Sequence, residues 1–313
     1  MNHLGKVAII ANPVAQNGAA ASVAHEFERM LCGRIADDGC RMHLTERAGH
    51  AQDIAAEVGS ACDTLVVIGG DGIVHEAANG LMRLGFDDRP NLAVVPVGSG
   101  NDYALTLGMS HKPEKALAQI LECDVHRLDV GLVNGEYFVE TLSFGLDAAI
   151  ALDTVERRKK SGRRGTVLYM ESGFDQLMHH LVPQNYKARL HGVPGTGDVD
   201  IEGESYIFAV QVGRTYGGHF DVCPKASPED GLFDVCVTKG RLNAAKATSV
   251  FLLARFGLHT RFKMFRFYKA SSLVVEFDEP PSAQADGEKV SGTRFEISTI
   301  PGALKVIVGD FKA

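Results

Sequence analysis

The chain has 313 residues, of which 45% are hydrophobic and 23% are charged, and its formal net charge is −7. This length exceeds the usual size of a domain with a single hydrophobic core, so it predicts two domains. The ordinary composition excludes an intrinsically disordered chain. The acidic balance argues against a general nucleic-acid binder, because proteins that track phosphate backbones are usually basic.

The first 125 residues alternate short apolar runs with segments of helical periodicity. The apolar runs predict strands at 7–11, near 42–44, at 65–68 and at 92–95, and helices are predicted around 23–31, 54–58 and 73–84. This alternation indicates a parallel sheet with helices on both faces. In such sheets, ligands bind beyond the carboxyl ends of the strands.

After residue 125 the pattern changes. Alternating segments at 128–133, 137–142, 206–212, 232–237 and 273–277 predict antiparallel strands, and helices are predicted at about 147–160 and 166–179. The segment 193–203 contains proline and glycine and is predicted to be a surface turn. We therefore expect an α/β domain over 1–125 and a β-rich, sandwich-like domain over 126–299, with the tail at about 300–313 returning to the first domain.

Two glycine-rich turns follow neighbouring strands of the predicted parallel sheet. The first reads Gly69-Gly70-Asp71-Gly72, and the second reads Gly98-Ser99-Gly100-Asn101-Asp102. Glycines let the backbone approach a ligand, and the free N–H groups at a helix start favour phosphate oxygens. Asp71 suits a contact with Mg²⁺ or a nucleotide, whereas Asp102 has the alternative role of a plain N-cap. The first turn lacks the Gly-Lys-Ser/Thr ending of a Walker A loop, and either turn alone is compatible with a tight turn that binds nothing.

The paired turns resemble the catalytic domain of the diacylglycerol kinase family. Further matches are Asn12-Pro13 with Asn17-Gly18, Phe144-Gly145-Leu146-Asp147, the segment 224–234, and Gln284-Ala285-Asp286-Gly287-Glu288. The motifs occur in the family's order and cover nearly the whole chain. The resemblance implies a nucleotide-binding first domain and a lipid-substrate second domain. It implies a kinase that uses ATP and Mg²⁺ to phosphorylate a hydroxyl of a membrane lipid such as diacylglycerol.

The resemblance also implies particular sites. The predicted ATP-site residues are Asn12, Thr45, Gly69, Gly70, Asp71, Gly72, Ile73, His75 and Ser99, to which the chemistry of the second turn adds Asn101 and Asp102. A structural Mg²⁺ would bind at Ser227, Asp230 and Leu232, through the Asp230 carboxylate and backbone carbonyls, because hard oxygen ligands suit this ion. The alternative for this last segment is an acidic turn before a strand.

The carboxylate pair Asp286 and Glu288 is predicted to contain the catalytic base. Because the two residues are spaced by two, both are expected on one face of an extended segment, although Gly287 between them permits a sharp turn. Asp286 is the first choice for the group that deprotonates the lipid hydroxyl, and Glu288 is the second. A solvated turn is the alternative that composition favours.

Two residues depart from the family pattern, and they keep alternatives open. Ile73 stands where Thr is usual, and His75 stands where Asn is usual, with His75 expected on the helix surface. A non-catalytic nucleotide- or lipid-binding relative is one alternative, against which the intact Asp71, Asp286 and Glu288 count. A soluble-substrate kinase of the NAD kinase or phosphofructokinase type is another, since these enzymes share the Gly-Gly-Asp-Gly turn. The second turn together with the late Asp-Gly-Glu motif favours the lipid family.

Two basic segments are the predicted sites of contact with the lipid membrane. The run 157–164 contains six basic residues, and 251–267 interleaves aromatic with basic residues. Such surfaces adsorb to anionic headgroups at ~1 kcal/mol per charge, and the alternatives are a solvated helix end and ordinary core. No apolar run reaches the ~20 residues of a spanning helix, so we expect a cytoplasmic protein with peripheral contact at the inner face of the membrane. No nucleic-acid partner is expected. A homodimer would be ordinary, but no stretch identifies its interface.

Overall fold

The computed structural model describes residues 4–13, 19–35, 39–122, 124–163 and 166–310. The chain divides into two compact units, one formed by Met1–Asp129 with Gly302–Ala313 and the other by Val130–Pro301. The strands of the described residues are β1 (Val7–Ala11), β2 (Cys40–Leu44), β3 (Thr64–Gly69), β4 (Asn91–Pro96), β5 (Asp124–Val133), β6 (Glu136–Phe138), β7 (Thr141–Gly145), β8 (Gln184–Val193), β9 (Gly197–Ser205), β10 (Ile207–Gln211), β11 (Thr215–Tyr216), β12 (Phe220–Asp221), β13 (Phe233–Thr238), β14 (Phe265–Ala270), β15 (Ser272–Phe277), β16 (Ala283–Ala285), β17 (Glu288–Lys289) and β18 (Arg294–Val308). The helices are α1 (Ala19–Cys32), α2 (His50–Val58), α3 (Asp71–Leu81), α4 (Asp102–Thr106), α5 (Pro113–Glu122), α6 (Leu146–Ser161), α7 (Thr166–His179) and α8 (Ala244–Ala254), with short 3₁₀ helices at Gly59–Ala61 and Leu258–Arg261.

The first unit is built on a parallel sheet with the strand order β2-β1-β3-β4. Lys305 and Val306, near the end of β18, add a parallel pairing to β4. Every residue of β1 and β3 is buried, as expected for central strands of a parallel sheet, which are covered on both faces. The carboxyl ends of β1, β2, β3 and β4 therefore lie along one edge of the sheet.

The second unit is β-rich and antiparallel. One sheet has the order β14-β13-β10-β7-β16-β17. Strands β15, β8 and β9 and the first part of β18 pair antiparallel in another sheet. Phe144 and Phe208 of the first sheet pack in one core with Leu273 and Phe295 of the second, and the rings of Phe144 and Phe295 are 4.7 Å apart. The unit is thus a sandwich, and a second apolar cluster joins α6, α7 and α8 to the outer face of the six-stranded sheet.

The predicted fold class is confirmed: an α/β unit with a parallel sheet precedes an antiparallel β-rich unit. The expectation of a surface turn over 193–203 is wrong for most of that segment. Only 194–196 form the turn, and β9 then returns along β8. The strand escaped prediction because most of its side chains are exposed, so it has no alternation of apolar and polar residues. The expected boundary at residue 125 falls inside β5.

Candidate active site

In the first unit, the turns that follow β3 and β4 lie directly against each other. A Cβ atom built on Gly98 would lie 2.3 Å from the Cα atom of Gly70, so the backbones approach as only glycine permits. The N–H group of Val97 donates to the carbonyl of Gly69 at 2.8 Å. The two glycine turns therefore form one continuous backbone surface, as neighbouring parallel strands allow.

The carboxylate of Asp71 fastens the second turn to the start of α3. Its Oδ2 atom accepts a hydrogen bond from the N–H of Asn101 at 2.7 Å, and Oδ1 accepts one from the N–H of Tyr103 at 3.3 Å. A Cβ atom on Gly100 would lie 2.6 Å from Oδ2. Sequence reasoning offered Asp71 for Mg²⁺ or the nucleotide. In the structure, its carboxylate organises the backbone that would meet a ligand.

Asn101 closes the second turn from within. Its Oδ1 atom accepts from the N–H of Gly98 at 2.7 Å, and its Nδ2 group donates to the Gly98 carbonyl at 2.9 Å. The residue has a φ of 61°, a left-handed conformation that asparagine tolerates better than most residues. Asn101 occupies the N-cap position of α4, and the buried Asp102 is the first helical residue. The alternative reading of Asp102 as the N-cap is therefore wrong by one position.

The two residues that depart from the family pattern are both buried in α3. Ile73 is 8% exposed and packs on the end of β3, since a Cβ atom on Gly69 would lie 2.4 Å from its Cγ2 atom. His75 is 9% exposed, and the side chain of Asn79 bonds its Nε2 atom at 3.3 Å and its carbonyl at 3.0 Å. The expectation that His75 lies on the helix surface is wrong, because α3 is buried along most of its length.

The remaining residues predicted for the nucleotide follow strand ends on the same edge of the sheet. Asn12 follows β1, and Thr45 follows β2 with its N–H bonded to the carbonyl of Ala11 at 2.9 Å. Gly72 is exposed in the first turn of α3, and a Cβ atom there would meet nothing within 4 Å. The first N–H groups of a helix have no partner within it and favour anions. With Ser99 half-buried in the second turn, this edge has the open backbone surface that phosphate groups require.

In the second unit, the late acidic motif is a hairpin turn. Asp286 and Gly287 have φ values of 48° and 95°, and they join β16 to β17 as the two-residue loop that Asp-Gly favours. A further side chain closes the hairpin turn: the Oε1 atom of Gln284 accepts a hydrogen bond from the N–H of Gly287 at 2.6 Å. The expectation that Asp286 and Glu288 share one face of an extended segment is wrong, since the chain reverses between them.

The carboxylate of Asp286 holds three backbone N–H groups. Oδ2 accepts from Val139 at 2.8 Å, and Oδ1 accepts from Glu140 and Thr141, each at 3.0 Å. The N–H of Asp286 donates to the Thr141 carbonyl at 2.9 Å. Asp286 therefore fixes the hairpin to the segment that leads into β7. An ionised carboxylate has about four lone-pair sites, so these bonds use most of its accepting capacity.

Glu288 differs from Asp286 in every one of these respects. It is exposed on the returning strand β17. Among the residues that the structure describes, none forms a hydrogen bond or ion pair with its side chain. A positioned hairpin thus presents a carboxylate whose accepting capacity is unused.

The segment predicted to hold a structural Mg²⁺ already contains a side-chain cation. The Nζ group of Lys269 lies 2.6 Å from Oδ2 of Asp230 and 2.9 Å from Oδ2 of Asp234, while Oδ1 of Asp230 accepts from the N–H of Leu232 at 3.0 Å. A magnesium ion at Ser227, Asp230 and Leu232 would have to share or displace this ammonium. Sequence reasoning missed Lys269, because a lysine in strand β14 gives no local sign that it contacts Asp230 and Asp234.

Three of the six basic residues in the run at the end of α6 form ion pairs with acids of the same unit. Arg157 contacts Asp153 and Asp175, Lys160 contacts Glu156, and Arg163 contacts Glu171. Lys159 has no ion-pair partner among the described residues, and Arg164 lies outside them. Within the part of the chain that is described, no helix combines the length and apolar character needed to span a bilayer.

Comparison with known proteins agrees with this geometry. The family model "Diacylglycerol kinase catalytic domain" matches residues 6–133, and "YegS C-terminal NAD kinase beta sandwich-like domain" matches 140–308. The diacylglycerol kinase of Bacillus subtilis (strain 168) is 30% identical over 248 residues, covering 79% of this chain and 78% of that relative. A protein of Pseudomonas aeruginosa (strain UCBPP-PA14) named "Probable lipid kinase YegS-like" is 29% identical over 292 residues, covering 92% and 88%. A solved diacylglycerol kinase from Bacillus anthracis str. Sterne superposes with a TM-score of 0.75 at 22% identity, over 99% of both chains.

An α/β unit with paired glycine turns, followed by a β-sandwich with an acidic hairpin, defines a kinase of the diacylglycerol kinase and YegS type. The chain belongs to the diacylglycerol kinase family, and it is a lipid kinase.

Proposed function

We propose that this lipid kinase takes the γ-phosphate of ATP, together with Mg²⁺, and transfers it to a hydroxyl of a membrane lipid such as diacylglycerol. The observation that carries the proposal is the continuous backbone surface formed by the two glycine turns at the start of α3. Glycine turns at a helix N-terminus bind phosphate through backbone N–H groups and the helix dipole. The space over Gly72 would receive the phosphates, and Ser99 would donate from the second turn.

We infer that a magnesium ion arrives with the nucleotide and is held chiefly by its phosphate groups. Mg²⁺ commonly keeps several waters and is held by substrate phosphates with one or two carboxylates. The described residues contain no group of three or more His, Cys, Asp or Glu placed to hold a metal, which agrees with such a shared site. Asp102 and Asn12 are the side chains we assign to it. When bound, the ion neutralises charge on the phosphate oxygens.

Glu288 is the residue we assign as the general base. Its exposed carboxylate has its accepting capacity unused, whereas the carboxylate of Asp286 holds three backbone N–H groups. As the lipid oxygen bonds to the γ-phosphorus, its proton passes to Glu288. The bond between the γ-phosphorus and the β,γ-bridging oxygen breaks, and ADP leaves. Asp286 is a positioning residue that keeps the hairpin in place, and most of the rate enhancement comes from positioning and charge neutralisation.

We expect the membrane lipid to contact a surface of the second unit that we call the α7–α8 apolar surface. Its large exposed side chains are Val167, Phe174, Met178, Val182, Leu252 and Phe256, of which Phe256 is 69% exposed. Lys159, Arg261 and Lys263 are exposed in the same unit and have no ion-pair partner in the described part of the chain. Apolar side chains with unpaired basic residues favour peripheral contact with an anionic membrane.

The test is an acceptor assay with radiolabelled γ-phosphate ATP, Mg²⁺ and mixed micelles that contain diacylglycerol. Parallel reactions contain NAD⁺ or fructose 6-phosphate, the acceptors of the soluble-substrate alternative. We expect label in the lipid only, abolished by EDTA, lowered at least ~10²-fold by Glu288→Gln, and retained in the matched control Lys289→Gln. Label in a soluble acceptor, or lipid labelling by Glu288→Gln at the wild-type rate, would overturn the proposal.

A further inference from the structure

Gln284 is a buried polar side chain to which the proposed function gives no role. It is the middle residue of β16, and it is 1% exposed. Strand β16 forms, with β17, the hairpin that contains Asp286 and Glu288, which we call the acidic hairpin. A buried carboxamide costs free energy unless its hydrogen bonds are made, and an apolar side chain of similar length would avoid that cost. The partners of Gln284 therefore indicate what the carboxamide does.

The carboxamide of Gln284 joins the turn of the acidic hairpin to the neighbouring strand. Its Oε1 atom accepts from the N–H of Gly287 at 2.6 Å, and its Nε2 group donates to the hydroxyl oxygen of Ser143 at 2.8 Å. Ser143 lies in β7, directly opposite Gln284 in the strand register. Because a backbone N–H can only donate, the carboxamide oxygen must face the turn and the NH₂ group must face Ser143.

Ser143 continues this chain of hydrogen bonds into α6. Its hydroxyl contacts the carboxyl of Asp147, and the Tyr216 hydroxyl donates to Oδ2 of the same carboxyl at 2.5 Å. Since the oxygen of Ser143 accepts from Gln284, its single O–H is left to donate to Asp147. Ser143 and Asp147 are 0% and 4% exposed. The hairpin turn is thus connected, through donors that all point one way, to a carboxyl packed in the interior of the second unit.

The strand that presents Glu288 is short and has little else to hold it. Strand β17 has two residues, both exposed, and it pairs with β16 at the edge of the six-stranded sheet. Beyond it, the N–H of Val290 donates to the carbonyl of Ala283 at 3.0 Å. A pairing of two short strands is marginal in water without a buried apolar face. The bonds at the turn therefore matter for where the Glu288 carboxylate lies.

Two side chains hold the turn itself. The carboxylate of Asp286 accepts from the N–H groups of residues 139–141, and the carboxamide of Gln284 accepts from Gly287. In a two-residue loop, the backbone angles of the turn set the direction of the returning strand. A general base must lie within ~2.6–3.2 Å of the group whose proton it takes. A small rotation of the turn would therefore take Glu288 out of reach.

We propose that Gln284 is a positioning residue for Glu288, and that Ser143 and Asp147 keep its carboxamide in the orientation that the turn requires. Gln284 acts through the backbone of Gly287 on the strand that carries the base. The inference rests on the proposed function, in which Glu288 takes the proton of the lipid hydroxyl.

The test is a double-mutant cycle of Gln284→Met and Glu288→Gln in the full-length protein, assayed with ATP, Mg²⁺ and diacylglycerol micelles. Methionine has a similar length but cannot accept from Gly287. We expect Gln284→Met to lower kcat ~10–100-fold, because a misplacement of ~1 Å can cost 10²-fold, and to leave the KM for ATP unchanged. In the Glu288→Gln background it should change kcat less than ~2-fold, since no base is left to position. An equal loss in both backgrounds would overturn the proposal.

The matched control is Gln211→Met, at a buried glutamine on the same face of the same sheet. Gln211 is 0% exposed, and its Nε2 group donates to the hydroxyl of Thr141 in β7 at 2.6 Å. Its bond to β7 resembles that of Gln284, but it is not made at the hairpin turn. Gln211→Met should lower the melting temperature about as much as Gln284→Met and leave kcat within ~2-fold of the wild type. Equal losses of kcat in the two variants would mean that a weakened sheet, not the turn, causes them, and the positioning role would be refuted.

Ser143→Ala is the milder variant, and it decides the outcome if Gln284→Met does not fold. It keeps the bond between Gln284 and Gly287 but removes the partner of the Nε2 group. We expect a smaller loss of kcat than in Gln284→Met, and this loss should also disappear in the Glu288→Gln background. Wild-type kcat in Ser143→Ala would overturn the part of the proposal that concerns Ser143 and Asp147.

Failure of this inference differs from failure of the proposed function. If Glu288→Gln labels lipid at the wild-type rate, the proposed function loses its general base, and the inference falls with it. If Glu288→Gln is impaired while Gln284→Met keeps the wild-type kcat, the positioning role is refuted and the proposed function stands.

Discussion

Asp71 in the first unit and Asp286 in the second both hold backbone N–H groups of a neighbouring segment, but the two turns present different groups to a ligand. Around Asp71, the open surface is backbone, with Gly72 at its exposed point. Around Asp286, the open group is a side chain, the carboxylate of Glu288. The first arrangement suits the binding of phosphate, and the second suits the removal of a proton.

In both turns an aspartate next to a glycine is engaged by backbone N–H groups of another segment. Both aspartates are half-buried, and under the proposed function the reacting groups are those that the fold leaves without partners. Asp147 is an intermediate case, because the hydroxyl of Tyr216 makes a short hydrogen bond to its Oδ2 atom, while Ser143 and the N–H of Ala148 make weaker contacts with the carboxyl. Asp230 is engaged twice, by Lys269 and by the N–H of Leu232.

The largest expected effect separates Glu288 from Asp286. Glu288→Gln should lower kcat by ~10²–10⁴-fold, the usual contribution of a general base, and should leave the melting temperature unchanged. Asp286→Asn weakens the charge-assisted bonds to three N–H groups, so it should lower the free energy of unfolding by about 1–3 kcal/mol. Kinase assays and thermal melting of both variants provide the measurement.

Lys289→Gln, at the exposed neighbour of Glu288, controls for a change of charge on the hairpin. The assignment fails if Asp286→Asn abolishes activity without loss of stability while Glu288→Gln remains active. That result would make Asp286 the base, as the sequence alone favoured.

The parts of the fold that follow from local pattern were predictable. The continuous apolar run at 65–68 became β3, because a strand buried on both faces of a parallel sheet needs no alternation. The closeness of the two glycine turns followed as well, since β3 and β4 are neighbours. By contrast, β9 has mostly exposed side chains and carries no apolar signal.

The atoms that each site residue uses could not be predicted, because their partners are distant in the chain. Asp286 is bonded to residues 139–141, and Asp230 to Lys269. The burial of His75 depends on what packs around α3, which local periodicity does not record. The burial of Asp147 likewise depends on the packing of α6, α7 and α8 against the six-stranded sheet, and no single stretch of sequence shows it.

The second expected effect concerns the buried carboxyl of Asp147. Burial raises the pKa of its carboxyl from the ordinary value of 3.8 to about 7, so the folded state binds the proton more tightly than the unfolded chain does. The resulting stability is full below pH ~4, and it is lost as the pH rises toward 7, by on the order of 4 kcal/mol in all. Asp147→Asn removes the titrating proton, so the difference in melting temperature between wild type and variant should change across pH 4–7 and be constant above about pH 8.

Glu279→Gln, at an exposed position, is the control for removing one acid and should keep the wild-type dependence on pH. If Asp147→Asn also keeps it, the carboxyl does not titrate in this window. Asp147 would then be as fully engaged as Asp286, and the distinction between the two would disappear.

A third effect contrasts two glycines of the phosphate-binding surface. Gly98→Ala would place a Cβ atom 2.3 Å from the Cα atom of Gly70, and overpacking of this kind costs about 1–3 kcal/mol. Gly72→Ala meets no atom within 4 Å, so it should keep or slightly raise stability while weakening ATP binding, because the methyl group enters the phosphate space. Melting curves and titration with a fluorescent ATP analogue measure both. Unchanged affinity in Gly72→Ala would show that the phosphates bind elsewhere.

The smallest effect tests whether a side-chain ammonium already satisfies Asp230. Lys269→Met leaves the carboxylates of Asp230 and Asp234 without their shared cation, and it should lower stability by about 1 kcal/mol, since the ion pair is partly exposed to solvent. Millimolar Mg²⁺ should raise the melting temperature of this variant and not that of the wild type, because an ion that binds only the folded state stabilises it. Lys263→Met, at an exposed lysine, should show neither change. An equal response to Mg²⁺ in wild type and Lys269→Met would mean that the ion binds despite the ammonium, and Asp230 would then be available to a metal in a way that Asp71 and Asp286 are not.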